Sequence, residues 1–387
     1  MNTTIVTLGL YPSSGGPSKS IRAFQRALAA AVVSWVDPWQ FEQEPLIWER
    51  STVVRGSRLP VLRQLLVPQR GDLPAAERLV GGSDLVSVHS FYRWHCQWVR
   101  RTARRRGVPY WFVPHGSLDP YVLESDRASK QLFLALGGRR FLADAAAIVC
   151  ATKREHDKLR HFAPHVPGLV VPWPLDAADF RPRDPLARAA VRQSLGIPDD
   201  ALCMLFFGRL HPMKRPLETI AALAESGASA AHLLVVGNEF GVTLAECRER
   251  ARALGVADRV HVVGPAYGDE KHGYLAAADV YVSLSSRENF NFTAAESLAA
   301  GLPVILSPGN DLAPELASVG CGWMLADAAD APQAIRTAAG TPAADLERMA
   351  AAGRAWCRRE LAEDVFAARL REAAAAVAGR SLEAAPA

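Results

Sequence analysis

The chain has 387 residues, 49% hydrophobic and 22% charged with a formal net charge of +4, a balance that excludes a disordered or fibrous protein. Its length exceeds the roughly 250 to 300 residues at which one hydrophobic core stops growing, so two domains with a ligand cleft between them are expected. Residues 1–175 carry 23 Lys and Arg against 13 Asp and Glu and the remainder 21 against 27, so the first half is expected to meet something anionic.

In chain order, the first strand is predicted at Ile5–Leu10. Behind it Ser13-Ser14-Gly15-Gly16-Pro17-Ser18-Lys19-Ser20 leads into a helix predicted over 18–30. A nucleotide-binding P-loop requires Gly directly before the Lys, and Ser18 stands there, which rejects an NTPase. Gly15 and Gly16 still allow backbone to approach a ligand, or form a plain tight turn. Further strands are predicted at 31–36, 85–89, 110–114, 147–151 and 169–172, with helices at 92–106, 128–136 and 153–161 between them. The helix 92–106 carries Arg100, Arg101, Arg104, Arg105 and Arg106 beside Trp94 and Trp98; it reads either as a solvated face or as a surface that rests on an anionic membrane. No nucleic-acid module accompanies these charges. His115 and Asp119, in His115-Gly116-Ser117-Leu118-Asp119-Pro120, follow the strand 110–114, so His115 is expected to point into the cleft; a satisfied core histidine is the alternative.

The prolines from Pro172 to Pro198 mark a linker, after which strand and helix alternate again. Strands are predicted at 202–207, 233–236, 260–263, 280–284 and 304–306, and helices at 216–225, 244–254, 270–278, 293–300 and 312–319. Beyond Gly322 the strand signal fades and helices dominate, ending in an amphipathic pattern at 363–378. Two successive α/β units with parallel sheets are implied.

Two segments of the second unit carry chemistry. In Gly208-Arg209-Leu210-His211-Pro212-Met213-Lys214-Arg215-Pro216, Pro216 suits the first helical position, so Lys214 and Arg215 lie at the positive end of a helix dipole. That placement costs up to ~1 kcal/mol and calls for an anion, and Arg209 with Lys214 can clamp a diphosphate. In Ser285-Ser286-Arg287-Glu288-Asn289-Phe290-Asn291-Phe292-Thr293-Ala294-Ala295-Glu296 two carboxylates sit at a carboxyl sheet edge, where they can accept hydrogen bonds from vicinal sugar hydroxyls. Thr293-x-x-Glu296 also matches a helix capping box, which leaves Glu296 a structural alternative; Glu288 has none. No Asp-x-Asp pair occurs, so no metal is expected and the Arg209 and Lys214 clamp becomes more necessary. The six cysteines lack any Cys-x-x-Cys and read as reduced and structural. With no uncharged apolar run of about 18 residues and no leader-like start, the chain reads as cytoplasmic.

These residues resemble glycosyltransferase family 4. Glu288 to Glu296 followed by Ser297-Leu298-Ala299-Ala300-Gly301-Leu302-Pro303-Val304 is similar to that family's Glu-x7-Glu signature, and His115 to Pro120 looks like a subgroup of bacterial exopolysaccharide and lipopolysaccharide enzymes. The resemblance implies a GT-B fold: an α/β chain of two Rossmann-like domains whose parallel sheets face a cleft, with a C-terminal helix packing back on the N-terminal domain. The expected boundaries are 1–176 for the acceptor-side domain, 177–200 for the linker, 201–360 for the nucleotide-sugar domain, 361–379 for the returning helix and 380–387 for a frayed tail.

By the same resemblance His115 and Glu288 are catalytic, with Glu288 on donor-sugar hydroxyls and His115 near the sugar's 6-position. Arg209, Lys214 and Gly16 take the diphosphate, Glu296 the ribose, and Asn289, Phe290, Asn291 and Phe292 form the donor-sugar loop. Gly15 and Asp119 lie on the acceptor side. Asn289 and Asn291 stand where the family often has Gly, and Pro172-Trp173-Pro174-Leu175-Asp176 replaces its usual Pro-Asn-Gly-Val-Asp. The implied activity is metal-independent, cofactor-free retaining transfer of a hexosyl unit from a UDP- or GDP-sugar to a hydroxyl of a glycan or lipid-linked acceptor in polysaccharide assembly. It takes place on the cytoplasmic side, at or near the inner membrane face, by a front-face attack with no nameable covalent nucleophile. The rivals are a nucleotide-sugar epimerase, a sugar phosphorylase of the same shape, and a non-catalytic donor-binding subunit.

Overall fold

A computed structural model describes residues 1–11, 16–48, 51–59, 66–119, 121–122 and 126–383. It divides into two compact units, Met1–Pro174 with Glu363–Ala387, and Leu175–Ala362.

Among the described residues the first unit holds a seven-stranded, all-parallel sheet. Its strands are β1 (Thr3–Leu8), β2 (Ala31–Val36), β3 (Thr52–Arg55), β4 (Leu85–His89), β5 (Tyr110–Val113), β6 (Ala147–Cys150) and β7 (Gly168–Val170), in spatial order β3-β2-β1-β4-β5-β6-β7. The central strands are buried on both faces, the condition under which parallel strands read as near-continuous apolar runs. Edge strand β3, unrecognised in the sequence, is only four residues long and half-exposed; the Asp72 carboxylate accepts from the Arg55 N–H at 2.9 Å. The helix predicted at 92–106 starts at Trp94 because Ser90 and Tyr92 hold left-handed φ of 71° and 58°. The C-terminal helix Glu363–Glu383 belongs to this unit. It packs on helix Gly16–Leu28 through Phe24 and Phe366 at 5.3 Å, the Arg26–Glu363 ion pair at 2.7 Å and an Arg371 Nε bond to the Ala27 carbonyl at 2.8 Å.

The second unit carries a six-stranded parallel sheet among the described residues: β8 (Cys203–Phe207), β9 (His232–Val236), β10 (Val260–Val263), β11 (Val280–Ser283), β12 (Val304–Leu306) and β13 (Gly322–Met324), in order β10-β9-β8-β11-β12-β13. Edge strand β13 lies where the sequence showed no strand. It requires Gly322, whose φ is 152° and where a Cβ would stand 2.0 Å from the Val304 carbonyl oxygen.

The stretch 177–200, expected to be a linker, is instead structured within this unit. It forms a 3₁₀ turn at Ala177–Phe180 and a helix at Pro185–Leu195, with Pro185 at the first helical turn and Gly196 as a left-handed cap. Arg192 anchors the helix. Fully buried, it donates to the carbonyls of Ala277, Pro198, Asp199 and Ala201 and pairs with Asp279 at 2.6 Å. All six cysteines are buried and unbridged, and among the described residues no helix is long and apolar enough to cross a membrane.

Candidate functional site

In the six-stranded sheet the order reverses between β8 and β11, and open α/β sheets take ligands outside the carboxyl ends of strands at such a switch point. The two segments singled out above are the loops that leave those strands. Ser286 ties them together: its backbone N–H donates to the Met213 carbonyl at 2.8 Å and its hydroxyl to the same oxygen at 3.2 Å. A third loop, after β12, fixes the backbone of Glu288, whose N–H donates to the Gly309 carbonyl (2.8 Å) and whose carbonyl accepts from Asp311 N–H (2.9 Å). Gly309 is required there, since a Cβ would stand 2.2 Å from the Ser285 carbonyl oxygen.

The side chains of Lys214 and Glu288 form an ion pair, 14% and 12% exposed, and Glu288 Oε1 also accepts from Ser285 Oγ at 3.2 Å. The lysine placed against its own helix dipole therefore already has one anionic partner. Arg209 is exposed, its guanidinium 5.1 Å from the Phe240 ring centroid. His211 Nδ1 accepts from Met213 N–H at 3.0 Å, and its pKa lies below the ordinary imidazole value through burial and then through the positive charges of Arg209, Arg287 and Lys214. Three cations thus bear on one loop. Arg287 was not singled out in the sequence; its adjacency to Glu288 was the available signal.

Asn291, expected in the donor-sugar loop, turns inward. At φ 46° its side chain caps the helix Phe292–Ala300, accepting from Ala294 N–H (3.2 Å) and from the Tyr281 hydroxyl (3.4 Å), and donating to Asn310 Oδ1 (2.6 Å) and Ser283 Oγ (3.1 Å). Phe290 is also buried, edge-on to Phe292 at 5.0 Å, whereas Asn289 and Phe292 are half-buried. With Asn291 as the cap, Thr293 is the second helical residue and the Thr293–Glu296 capping box does not form. Glu296 Oε2 pairs instead with Lys271 Nζ at 2.7 Å, and Lys271 lies 3.5 Å from Asp179 Oδ1, all three nearly buried. Each glutamate is matched to its own lysine. Lys271 and Asp179 were missed, one lying on a helix with no motif and the other in the supposed linker.

In the first unit the sheet order reverses between β1 and β4. Gly16 opens the helix that follows β1 and is exposed; Gly15 lies outside the described residues. His115 and Gly116 beyond β5 hold left-handed φ of 50° and 75°, and the Glu155 carboxylate fastens this turn, accepting from Gly116 N–H (2.9 Å) and Ala151 N–H (2.8 Å). Asp119 pairs with Lys158 at 2.8 Å. Of the basic helix, Arg100 and Arg104 pair with Asp144 (2.7 and 3.2 Å) and Arg101 covers Trp94.

Burial pushes His115 down to about 3 and His95 to about 4, and it holds His89 well below 6.5, so all three imidazoles are neutral at pH 7. The unfolded chain takes up these protons near pH 6.5 and the folded chain does not. Their contribution is therefore fully present above pH 6.5 and is lost as pH falls towards 4, at up to about 1.4 kcal/mol per group per pH unit. A melting temperature that falls steeply from pH 6.5 to 4.5 is the expected result; a flat profile contradicts neutral burial of the three.

Residues 15–174 match the family Glycosyl transferase 4-like domain and residues 187–340 the family Glycosyl transferases group 1. The D-inositol 3-phosphate glycosyltransferase of Streptomyces avermitilis is 30% identical over 289 residues, 71% of this chain and 61% of that one; its Streptomyces scabiei counterpart is 32% identical over 238 residues, 58% and 52%. The chain thus spans between 52% and 61% of the length of these curated relatives. Among solved structures, Anabaena Alr3699/HepE in complex with UDP has a TM-score of 0.76 at 16% identity, covering 97% of this chain and 100% of that one. Sucrose-phosphate synthase from Thermosynechococcus elongatus has a TM-score of 0.72 at 22% identity with 100% of both chains covered. Two parallel α/β units, a signature loop after β11 and matches over both halves make this chain a member of glycosyltransferase family 4 with the GT-B fold.

Proposed function

We propose that the protein is a retaining glycosyltransferase that moves a hexosyl unit from a UDP- or GDP-sugar to a hydroxyl of a glycan or lipid-linked oligosaccharide during polysaccharide assembly. The observation that carries this reading is the Lys214–Glu288 pair at the carboxyl edge of β8 and β11, with Arg209 and Arg287 bearing on the same loop. A site with surplus cations and a hydrogen-bond-accepting carboxylate suits a ligand that is phosphate at one end and polyhydroxyl at the other.

In the reaction, the bond from the anomeric carbon to the diphosphate breaks and its electron pair leaves with the phosphate oxygen. Arg209 and Lys214 stabilise that developing charge. The acceptor oxygen bonds to the anomeric carbon on the face the diphosphate leaves, and its proton passes to the departing phosphate. Glu288 holds the sugar hydroxyls and Glu296, helix-borne beside Lys271, the ribose; Gly16 is assigned to the diphosphate and His115 to the sugar.

The Anabaena protein has been seen with UDP-glucose and the curated relatives are named for D-inositol 3-phosphate, so these head the donor and acceptor panels. A thermal-shift screen of UDP-, GDP-, ADP- and dTDP-sugars is expected to show one base stabilising the fold by about 2.7 kcal/mol at a hundredfold excess over Kd. Product analysis then shows an acceptor-dependent glycoside with retained anomeric configuration. Turnover without an acceptor indicates an epimerase, phosphate dependence a phosphorylase, and binding without any turnover a non-catalytic subunit.

A further inference from the structure

A chain of hydrogen bonds runs from the interior of the seven-stranded sheet to His115. Trp111 Nε1, which can only donate, donates to Ser87 Oγ. Ser87 Oγ lies 2.9 Å from His89 Nε2, and His89 Nδ1 lies 2.8 Å from His115 Nε2. Trp111, Ser87 and His89 have no solvent exposure. The parallel pairing of β4 with β5 sets His89 opposite Val113, two residues short of His115, which brings the two imidazoles together with centroids 5.1 Å apart.

Counting protons fixes the direction of the chain. Among the described residues the Ser87 hydroxyl hydrogen has one acceptor in reach, His89 Nε2. If His89 Nε2 carried a proton instead, that hydroxyl would be left without an acceptor in a fully buried place. His89 Nε2 therefore accepts, its one proton sits on Nδ1, and Nδ1–H donates to His115 Nε2. His115 is neutral and must carry its own proton on Nδ1, for which no partner exists among the described residues.

Neighbours leave the two rings little freedom. His95 Nε2–H donates to the His89 carbonyl at 3.1 Å, Phe24 meets the His89 ring edge-on at 5.0 Å, and Trp173 lies 5.5 Å from the His115 ring. The left-handed backbone at His115 is a conformation a non-glycine residue keeps only where its surroundings enforce it.

We propose that His89 is a positioning residue which, through Ser87 and Trp111, locks His115 as the neutral Nδ1–H tautomer, so that His115 offers one N–H donor to an uncharged hydroxyl oxygen of the bound sugar. The role given to the sugar rests on the glycosyltransferase reading; the lock does not. A neutral donor of this kind orients a hydroxyl and neither gives nor takes a proton in the reaction.

The test is a long-range ¹⁵N–¹H correlation spectrum of the full chain labelled with ¹⁵N-histidine, with His115→Asn used to assign the His115 ring. The wild type is expected to show a protonated Nδ1 and a bare Nε2 on His115. In His89→Leu the single tautomer gives way to a mixture, and kcat for donor turnover falls about tenfold, the worth of one oriented hydrogen bond, with little change in KM. In His89→Asn, whose amide N–H can stand in for Nδ1–H, the Nδ1–H tautomer and most of kcat return. A wild-type His115 protonated on Nε2, or the wild-type tautomer persisting unchanged in a folded His89→Leu, overturns the proposal. If His89→Leu does not fold, the wild-type tautomer and the His89→Asn variant decide alone. A locked His115 in a chain that turns over no nucleotide sugar overturns the glycosyltransferase reading and leaves the lock standing.

Discussion

Lys214→Ala is expected to lower donor turnover by about 10²- to 10³-fold while the protein remains folded. Lys214 is a cation held at the amino end of helix Pro216–Glu225 and paired with Glu288, so it costs the helix stability unless an anion is near. In the free protein Glu288 supplies that anion; in the proposed donor complex the diphosphate would. Removing the lysine leaves Glu288 with the Ser285 hydroxyl as its side-chain donor, and the carboxylate at this solvent-reachable edge can still be hydrated. The expected loss of stability is therefore only about 1 kcal/mol. Lys214→Arg keeps the charge but not the compact point donor and should recover part of the rate. Glu288→Gln is expected to lose a similar amount, and the double variant less than the two losses combined, because the pair acts as one unit. Steady-state kinetics on these variants and on Glu296→Ala checks the site; full activity in both Lys214→Ala and Glu296→Ala would sink it.

Arg192→Ala is expected to destabilise the second unit by about 3 kcal/mol, which for a unit of this size lowers its melting temperature by roughly 6 to 12 °C. Five groups depend on this one guanidinium. Four backbone carbonyls would be left without it, and among the described residues Asp279 would keep Arg188 at 2.9 Å and the Cys203 N–H at 2.8 Å. Arg192→Lys should lose nearly as much, since one ammonium cannot reach four carbonyls and a carboxylate with a planar fork's geometry. Calorimetry with and without a bound nucleotide sugar measures the shift, and a change under about 2 °C would show that the helix Pro185–Leu195 does not hold the unit together.

The importance of that arginine was hidden in the sequence for a specific reason. Prolines at 182, 185 and 198 signal chain breaks, and the composition between them is that of a linker. Yet Pro185 is helical because the first turn of a helix has no use for its missing N–H, and Arg192 is buried because its donors meet carbonyls supplied as far away as residue 277. Asn291 shows a second kind of hidden role. It lies in the loop expected to face the donor sugar, and its φ of 46° and its four side-chain partners make it also the joint between loop and helix.

By itself, the order of residues determined the two α/β units, most of the central strands and the two loops that carry Arg209, Lys214 and Glu288. Buried parallel strands must be apolar throughout, and loops that receive phosphate must break that pattern with charge and glycine. What only the tertiary structure decided is pairing at a distance: Glu288 with Lys214, Glu296 with Lys271, Arg192 with Asp279, and His115 with His89. Those matches depend on strand order and register. Short half-exposed edges such as β3 and β13, and the neighbours that a parallel crossover brings together, leave no periodic trace in the residues between.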